Sequence, residues 1–480
     1  MTTKNKKLKK ILFAVSEATP FISTGGMGQV AGALPKTLKK IDENLEISIV
    51  VPLYDEIKQR YLSTLEFVGE SQVVLAWRNL YCGIYKTELD GITYYFIDNE
   101  YYFRREKCYG YFDDGERFAY FSKAIFTMME ICGLNPDIIH CHDWQTALVT
   151  VYMKTCFKEK YPGTRTVFTI HNMEYQGKYT TAILGDVFDM GPEYEGLMEY
   201  NGGINLMKAA IVCTDKLTTV SPTYADEIKV DKGFDLEPII QENSYKLTGI
   251  INGIDLQEYD PENDKELTKN FSVESPGGKR ANKREIQKIF GLELKPRKML
   301  FCVVTRLVPL KGIDLITFII EEMLKSDVQF VLLGTGDHQY ELFFSELAVR
   351  YPGQVGVSVS FNPEIAKKIY AGADCMIMPS KSEPCGLAQM ISCRYGTVPI
   401  VHKTGGLSDT ISDCRGGDGN GFVFAEYDAN VLFETINRAR DLYTYNKEDW
   451  ENLMKQAMRA DFSWEASAAK YLEIYNSVFF

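Results

Sequence analysis

Arg306 and Lys311 follow the apolar run Met299–Thr305, and Glu383 follows the apolar run Cys375–Met378. Two cations at one strand end can neutralise a diphosphate, arginine through its planar fork and lysine as a point charge. Glu383 precedes Pro384-Cys385-Gly386-Leu387, where proline presets a helix start and Gly386 opens room. A carboxylate there stays ionised and can hold a sugar hydroxyl or support positive charge at an anomeric carbon. The backbone from Gly386 to Gln389 can take phosphate in the same turn. Two Thr-Gly-Gly loops add to this. Thr24-Gly25-Gly26 and Thr404-Gly405-Gly406 each follow an apolar run. Without Cβ atoms, such loops let the backbone approach phosphate or sugar oxygens.

His142 and His171 are two of only five histidines, and both close apolar runs, beside Asp143 and Asn172. They can donate hydrogen bonds to a sugar or a phosphate, although a lone histidine at such a place is more often a satisfied core residue. His140 shares a strand face with His142, but no third ligand stands near, so no metal site is expected. The chain lacks a Gly-x-Ser-x-Gly elbow, a phosphate-binding Gly-x-x-x-x-Gly-Lys-[Ser/Thr] loop, and a Gly-x-Gly-x-x-Gly after its first strand. Hydrolase, P-loop NTPase and simple dehydrogenase chemistry lose their usual support.

The elements that must position these groups are short apolar runs alternating with helical stretches. One series is Ile11–Val15, Ile47–Leu53, Asp137–Cys141, Val167–Ile170 and Leu217–Val220. A second is Met299–Thr305, Val328–Leu333, Val355–Val359, Cys375–Met378 and Pro399–Val401. The pattern predicts an α/β fold of two parallel, doubly wound sheets covered on both faces. With 480 residues, two domains are expected. The crossing falls near Ile251–Asp255, with a flexible surface loop around Gly277. Ligands of open α/β sheets bind beyond the carboxyl ends of the strands, and nearly every unusual cluster here sits there. One site shared by both domains is the expectation.

A net charge of −12 argues against a nucleic-acid partner, though a few local cations suffice for one sugar nucleotide. The eleven cysteines include no Cys-x-x-Cys pair, which indicates reduced thiols in the cytoplasm. The basic start, Met1–Lys10, is followed by too short an apolar run for a signal peptide. No stretch has the ~18 apolar residues of a membrane span.

Taken in order, the motifs Thr-Gly-Gly-Met-Gly-Gln-Val-Ala-Gly-Ala-Leu-Pro, His-Cys-His-Asp-Trp-Gln, Phe-Thr-Ile-His-Asn-Met-Glu-Tyr-Gln-Gly, Arg-Leu-Val-Pro-Leu-Lys-Gly, Ser-Glu-Pro-Cys-Gly-Leu and His-Lys-Thr-Gly-Gly-Leu-Ser-Asp-Thr resemble the bacterial glycogen synthase and plant starch synthase family. The resemblance implies a GT-B glycosyltransferase with an interdomain active-site cleft. It implies an acceptor-side Rossmann-like domain over residues 1–250, a nucleotide-sugar-binding domain over 251–459, and a final helix, 460–480, returning to the first. The implied reaction is retaining transfer of glucose from ADP-glucose, with UDP-glucose the other candidate donor, to the non-reducing 4-hydroxyl of an α-1,4-glucan, without metal or other cofactor.

Carried over by position, Arg306 and Lys311 hold the diphosphate, and Glu383 sits at the donor glucose. Gly25, Gly26, Gly386 and Leu387 offer backbone N–H groups in loops that also contain Thr24 and Cys385. His171 and Asn172 line the sugar side, and Phe361 stands near the base. The chain also departs from the family pattern. Ser23 stands where lysine is usual, Met27 for leucine, Gln29 for an acidic residue, Gln145 for histidine, Ala388 for threonine, and Lys367 for histidine. Gln145 can still bond a sugar hydroxyl. Two alternatives remain: a retaining transferase with a small acceptor, and a glucan-binding protein without turnover.

Overall fold

The computed structural model describes residues 8–479; most of the basic start, residues 1–7, lies outside them. The chain divides into two compact units. The first runs to Gly253 and regains the chain from Trp464, and the second spans Ile254–Ser463. The divisions fall at 253/254 and 463/464 rather than at 250 and 459. Ile250 still donates to Thr219 of the first unit (2.8 Å), whereas Ile254 donates to Phe462 of the second (2.8 Å).

The first unit is built on β1 (Lys10–Ala14), β2 (Glu46–Pro52), β3 (Glu66–Leu75), β4 (Arg78–Leu89), β5 (Ile92–Asp98), β6 (Ile138–His142), β7 (Arg165–Ile170), β11 (Lys216–Thr219) and β12 (Leu247–Gly249). A small three-stranded sheet adds β8 (Lys178–Tyr179), β9 (Glu199–Tyr200) and β10 (Gly203–Asn205). The large sheet runs β12-β11-β7-β6-β1-β2-β5-β4-β3. Strands β1, β6 and β7 are nearly all buried, as continuous apolar runs between two helical layers require.

The sheet is mixed, which corrects the expectation of a purely parallel one. β5 pairs parallel with β2, but β4 pairs antiparallel with both β5 and β3. β3 and β4 are not apolar runs, because they alternate exposed and covered residues, the pattern of a sheet wet on one face.

The second unit carries β13 (Leu300–Val304), β14 (Gln329–Leu333), β15 (Val355–Ser358), β16 (Cys375–Met378), β17 (Val398–His402) and β18 (Phe422–Phe424). All pair parallel in the order β15-β14-β13-β16-β17-β18. Its core joins Phe301, Val303, Phe330, Leu332, Ile377 and Ile400 to helix residues such as Ile316, Ile320 and Leu432. The flexible loop expected around Gly277 is instead a 3-10 turn, Pro276–Gly278, leading into the helix Lys279–Ile289. Lys279 is buried there, donating to the carbonyls of Tyr370, Ala371 and Tyr395 and to the Thr397 hydroxyl. Burial pushes its ammonium down to about 7, opposed by the nearby Asp374 carboxylate, which favours the charged form. Among the described residues, no helix is long and apolar enough to cross a membrane.

Candidate active site

In the second unit, the chain leaves β13 at Thr305, exposes Arg306, and makes the short turn Pro309–Lys311. It enters the helix Ile313–Leu324 through Gly312 at φ 71°. A Cβ at 312 would lie 2.1 Å from the Pro379 carbonyl oxygen, so only glycine lets this turn meet the chain leaving β16. Lys381 N–H donates to Leu310 O (2.9 Å), tying the two loops together.

That tie brings Lys311 Nζ to 2.6 Å from Glu383 Oε2, and Ser380 Oγ donates to the same oxygen at 2.9 Å. Both bonds fall on Oε2, so Oε1 faces no donor among the described residues. Glu383 is buried, and so is Ser380. The Ser380 carbonyl accepts from His402 Nδ1 (2.8 Å), which fixes that ring with its proton on Nδ1. Lys311 is therefore not a free cation awaiting a diphosphate. It neutralises the carboxylate, and it can do so while also donating to an anion, because an ammonium has three N–H bonds. Arg306 has no ion-pair partner among the described residues.

In the second Thr-Gly-Gly loop, the backbone itself gives the glycines a reason. Gly405 lies at φ 43°, and a Cβ there would sit 2.0 Å from Glu383 O. A Cβ on Gly406 would sit 2.2 Å from Cys385 O, and the Gly406 N–H already donates to Glu383 O (3.0 Å). These glycines seat the loop against the backbone that carries Glu383. Gly386, at φ 73°, turns the chain towards the helix Ala388–Arg394, beside buried Cys385 and half-buried Leu387. Phe361 stands 81% exposed before the helix Pro363–Gly372.

In the first unit, the loop after β1 behaves differently. Gly25 is exposed in extended backbone, φ −170°, and a Cβ there would meet nothing within 4 Å. No steric contact requires glycine at 25, which is the N-cap of the helix Gly26–Ile41. Thr24 and Gly26 are exposed beside it. The Thr24 N–H donates to Glu17, a buried carboxylate whose pKa is raised by burial against the pull of that bond. Glu17, a lone carboxylate just past the end of β1, was not among the sequence candidates.

The ends of β6 and β7 gather the histidines. His142 Nδ1 and His171 Nε2 share a hydrogen bond of 2.9 Å. His140 bonds Tyr475 OH through Nδ1 (2.7 Å) and Thr169 Oγ1 through Nε2 (2.6 Å), and its ring lies 4.2 Å from that of His142. His140 is thus the satisfied core histidine, held by the final helix Trp464–Ser477. Burial pushes His140 and His142 well down and His171 to about 3, so all three are neutral near pH 7. His142 Nε2 and Gln145 Oε1 are buried without a hydrogen-bond partner, which marks a place for a ligand or water group. Asn172 Oδ1 accepts from Glu174 N (2.9 Å). Among the described residues, no three His, Cys, Asp or Glu side chains gather as a metal site.

Asp143 sits at φ 54°, an uncommon backbone for a residue other than glycine. Its Oδ1 accepts the His171 N–H (2.7 Å), fixing the turn that presents the imidazole. Burial pushes this carboxyl up to about 7, opposed by the N–H groups of His171 and Asn172. An unfolded aspartate titrates near ~4. From roughly pH 4 to 7, the unfolded chain therefore binds fewer protons than the folded one, and stability falls as pH rises, by up to ~1 kcal/mol per pH unit. Above about 7 the penalty is constant. Asp143→Asn, which keeps an acceptor oxygen, is expected to flatten that fall. Urea midpoints at pH 4.5 and 7 for both proteins test it, and equal slopes would show a carboxylate ionised throughout.

Residues 10–242 match the family model described as the starch synthase catalytic domain, and residues 283–457 match that of group 1 glycosyl transferases. The glycogen synthase of Bacillus cereus (strain Q1) is 44% identical over 475 residues, covering 98% of this chain and 99% of the relative. That of Geobacillus thermodenitrificans is 44% identical over 476 residues, covering 98% of each. Among solved structures, the catalytic domain of starch synthase IV from Arabidopsis thaliana superposes with a TM-score of 0.91 at 33% identity, over 99% of this chain and 100% of that one. Sucrose-phosphate synthase from Thermosynechococcus elongatus, at 17% identity and a TM-score of 0.62 over 98% of this chain and 99% of that one, shares the two-domain fold.

Proposed function

We propose, since the chain belongs to the glycogen synthase and starch synthase family, that it moves glucose from ADP-glucose to the non-reducing 4-hydroxyl of an α-1,4-glucan with retention at the anomeric carbon. It is a glycosyltransferase of glycogen or starch synthesis with the GT-B fold. The donor and the stereochemistry are the proposed part. The observation that supports the chemistry is the Lys311–Glu383 contact at the carboxyl end of a parallel sheet, with Arg306, which has no ion-pair partner among the described residues, in the same loop as Lys311.

In this reading, Arg306 forks onto the diphosphate, and Lys311 spends its remaining N–H bonds on the same group. Glu383 Oε1 accepts from a glucose hydroxyl, while its charge supports the cation developing at C1. The C1–O bond to the diphosphate breaks, and the acceptor 4-oxygen bonds to C1 on the face being vacated. Its proton passes to the departing phosphate oxygen. No metal is assigned a part, because Arg306 and Lys311 supply the positive charge. The Arabidopsis relative was solved bound to ADP and acarbose, which supports an adenine nucleotide here, with Phe361 stacking on the base. Gly25, Gly26, Gly386 and Leu387 offer backbone N–H groups. His171, Asn172 and Gln145 bond sugar hydroxyls as neutral partners. The cytoplasm suits eleven free cysteines.

The test is glucose incorporation into glycogen by the purified protein with ADP-glucose and UDP-glucose in parallel. Turnover with ADP-glucose that falls at least ~100-fold in both Glu383→Ala and Arg306→Ala is expected, the scale of removing one transition-state contact. A folded protein that binds glycogen but turns over neither donor would move the assignment to glucan binding.

A further inference from the structure

Within the second unit, one buried side chain has no part in the proposed chemistry, although it bonds the turn that carries it. Gln389 is the second residue of the helix Ala388–Arg394 and is fully buried. Its side chain folds back over the turn that precedes its own helix. Nε2 donates to Cys385 O (3.0 Å), to Gly386 O (2.9 Å) and to Thr410 Oγ1 (3.2 Å). Three oxygens around one nitrogen fix which end of the amide is which, because a carboxamide oxygen there would meet only acceptors. Oε1 has no hydrogen-bond partner among the described residues. Thr410 Oγ1 gives its own proton to Gly406 O (2.6 Å), so towards Gln389 it accepts. The second Gly-Gly loop thereby helps to hold the amide. A Cβ on Gly386 would lie 2.4 Å from Oε1, so the bare α-carbon at 386 makes room for this side chain.

These bonds decide how two peptide planes lie. A trans peptide is planar, and its C=O and N–H point in opposite directions. Cys385 O and Gly386 O converge on one buried nitrogen. The N–H groups of the same two peptide units, those of Gly386 and Leu387, therefore both point away from it. Neither N–H has an acceptor among the described residues. Gly386 at φ 73° followed by Leu387 at φ −113° is a left-handed then right-handed pair, which turns successive N–H groups towards one anion. Glycine admits both hands of φ, so without an anchor these planes are free to rotate. The glutamine removes that freedom.

We propose that Gln389 is a positioning residue for glucose transfer, pinning two peptide carbonyls inward so that the Gly386 and Leu387 N–H groups stay aimed at the donor diphosphate. The inference rests on the nucleotide-sugar reading of this turn and adds the group that orients it. Gln389 itself touches no substrate. Its effect is that both N–H groups are arranged before the donor arrives, so neither binding nor the growth of charge on the departing diphosphate requires the turn to reorganise.

Gln389→Met keeps the length of the side chain but cannot donate. Gln389→Glu keeps its shape and sets a carboxylate against three oxygens. Calorimetric titration of the full chain with ADP and with adenosine reads binding apart from turnover. ADP is expected to bind about ten- to a hundredfold more weakly to both variants, the scale of one or two hydrogen bonds to a charged group. Adenosine, which has no phosphate for those N–H groups to meet, should bind all three proteins within about twofold. A merely structural glutamine would weaken both ligands alike. With ADP-glucose, kcat/KM should fall by the same factor as ADP affinity, while KM for glycogen stays within about twofold. Hydrogen exchange over residues 384–388 of the wild type needs no variant: ADP should slow it about tenfold or more, and adenosine should not. ADP affinity close to wild type in both variants, an equal loss of adenosine, or no slowing of exchange by bound ADP would overturn this role. A wild type that binds ADP, with variants that lose it selectively, but that transfers no glucose would keep this role for the turn and defeat the proposed reaction. A wild type that binds no ADP would defeat the nucleotide-sugar reading, and this role would fall with it.

Discussion

Lys311→Ala is expected to lower kcat for glucose transfer by about a hundred- to a thousandfold, the range seen when one charge-stabilising donor is removed. Two losses combine. The departing diphosphate loses a cation, and Glu383 is left as a buried carboxylate with only the Ser380 hydroxyl on its Oε2. The second loss costs stability as well, up to ~3 kcal/mol for a pair this covered. Because both residues work through one contact, their effects should not add. Lys311→Ala/Glu383→Ala is expected to be about as slow as either single variant, and more stable than Lys311→Ala alone. Lys311→Arg should recover part of the rate. Steady-state rates with ADP-glucose and glycogen, with thermal unfolding of the same four proteins, provide the check. A kcat within threefold of wild type would remove Lys311 from the chemistry.

Arg117→Ala is expected to destabilise the first unit by about 3–5 kcal/mol, the cost of breaking a buried ion pair from one side. For a unit of this size, that is a fall in Tm of roughly 10 °C. Arg117 is fully buried. Its Nε donates to Tyr102 O (2.7 Å), and one terminal nitrogen donates to Cys108 O (3.2 Å) and to Asp114 Oδ1. The guanidinium also lies 5.0 Å from the Tyr111 ring centre. Asp114 holds the N–H groups of Gly110 and Tyr111 (2.8 and 3.2 Å), so one arginine pins both ends of the segment carrying Tyr109. Tyr109 OH in turn bonds Ser16 Oγ just past β1 (2.8 Å). Arg117→Lys should lose less, because it keeps the charge while giving up the fork. Differential scanning calorimetry reads the shift, and a fall under 2 °C in Arg117→Ala would mean that the pocket closes over Asp114.

The strand ends were legible because parallel strands buried on both faces are continuous apolar runs. Their carboxyl ends carry the candidate residues, as at Arg306, His142 and His171. Contacts made across long sequence separations were not legible. Nothing near Tyr475 announces that it bonds His140, and nothing in Ser380-Lys381-Ser382 says which oxygen Lys311 reaches. The paired glycines show the limit well. Both loops have the same three letters, yet Gly25 faces open space and Gly405 faces a carbonyl at 2.0 Å. Composition supplies the conformational freedom, and the neighbouring backbone decides its use. The hairpin β3–β4 was hidden because its alternation is that of a half-wet sheet.

The return of the final helix to the first unit carries a consequence for how this protein is made. Ser467 Oγ donates to Ile251 O (2.5 Å), and Tyr475 completes the hydrogen bonding of His140. A segment made after the whole second unit is thus part of the interior of the first. The second unit, Ile254–Ser463, is one uninterrupted stretch and has all its sequence in hand earlier. Order of emergence and order of completion are therefore reversed, against the usual tendency for the leading domain to finish first. During synthesis, the groove over the histidines of the first unit waits for a helix that is made only after the whole of the second unit.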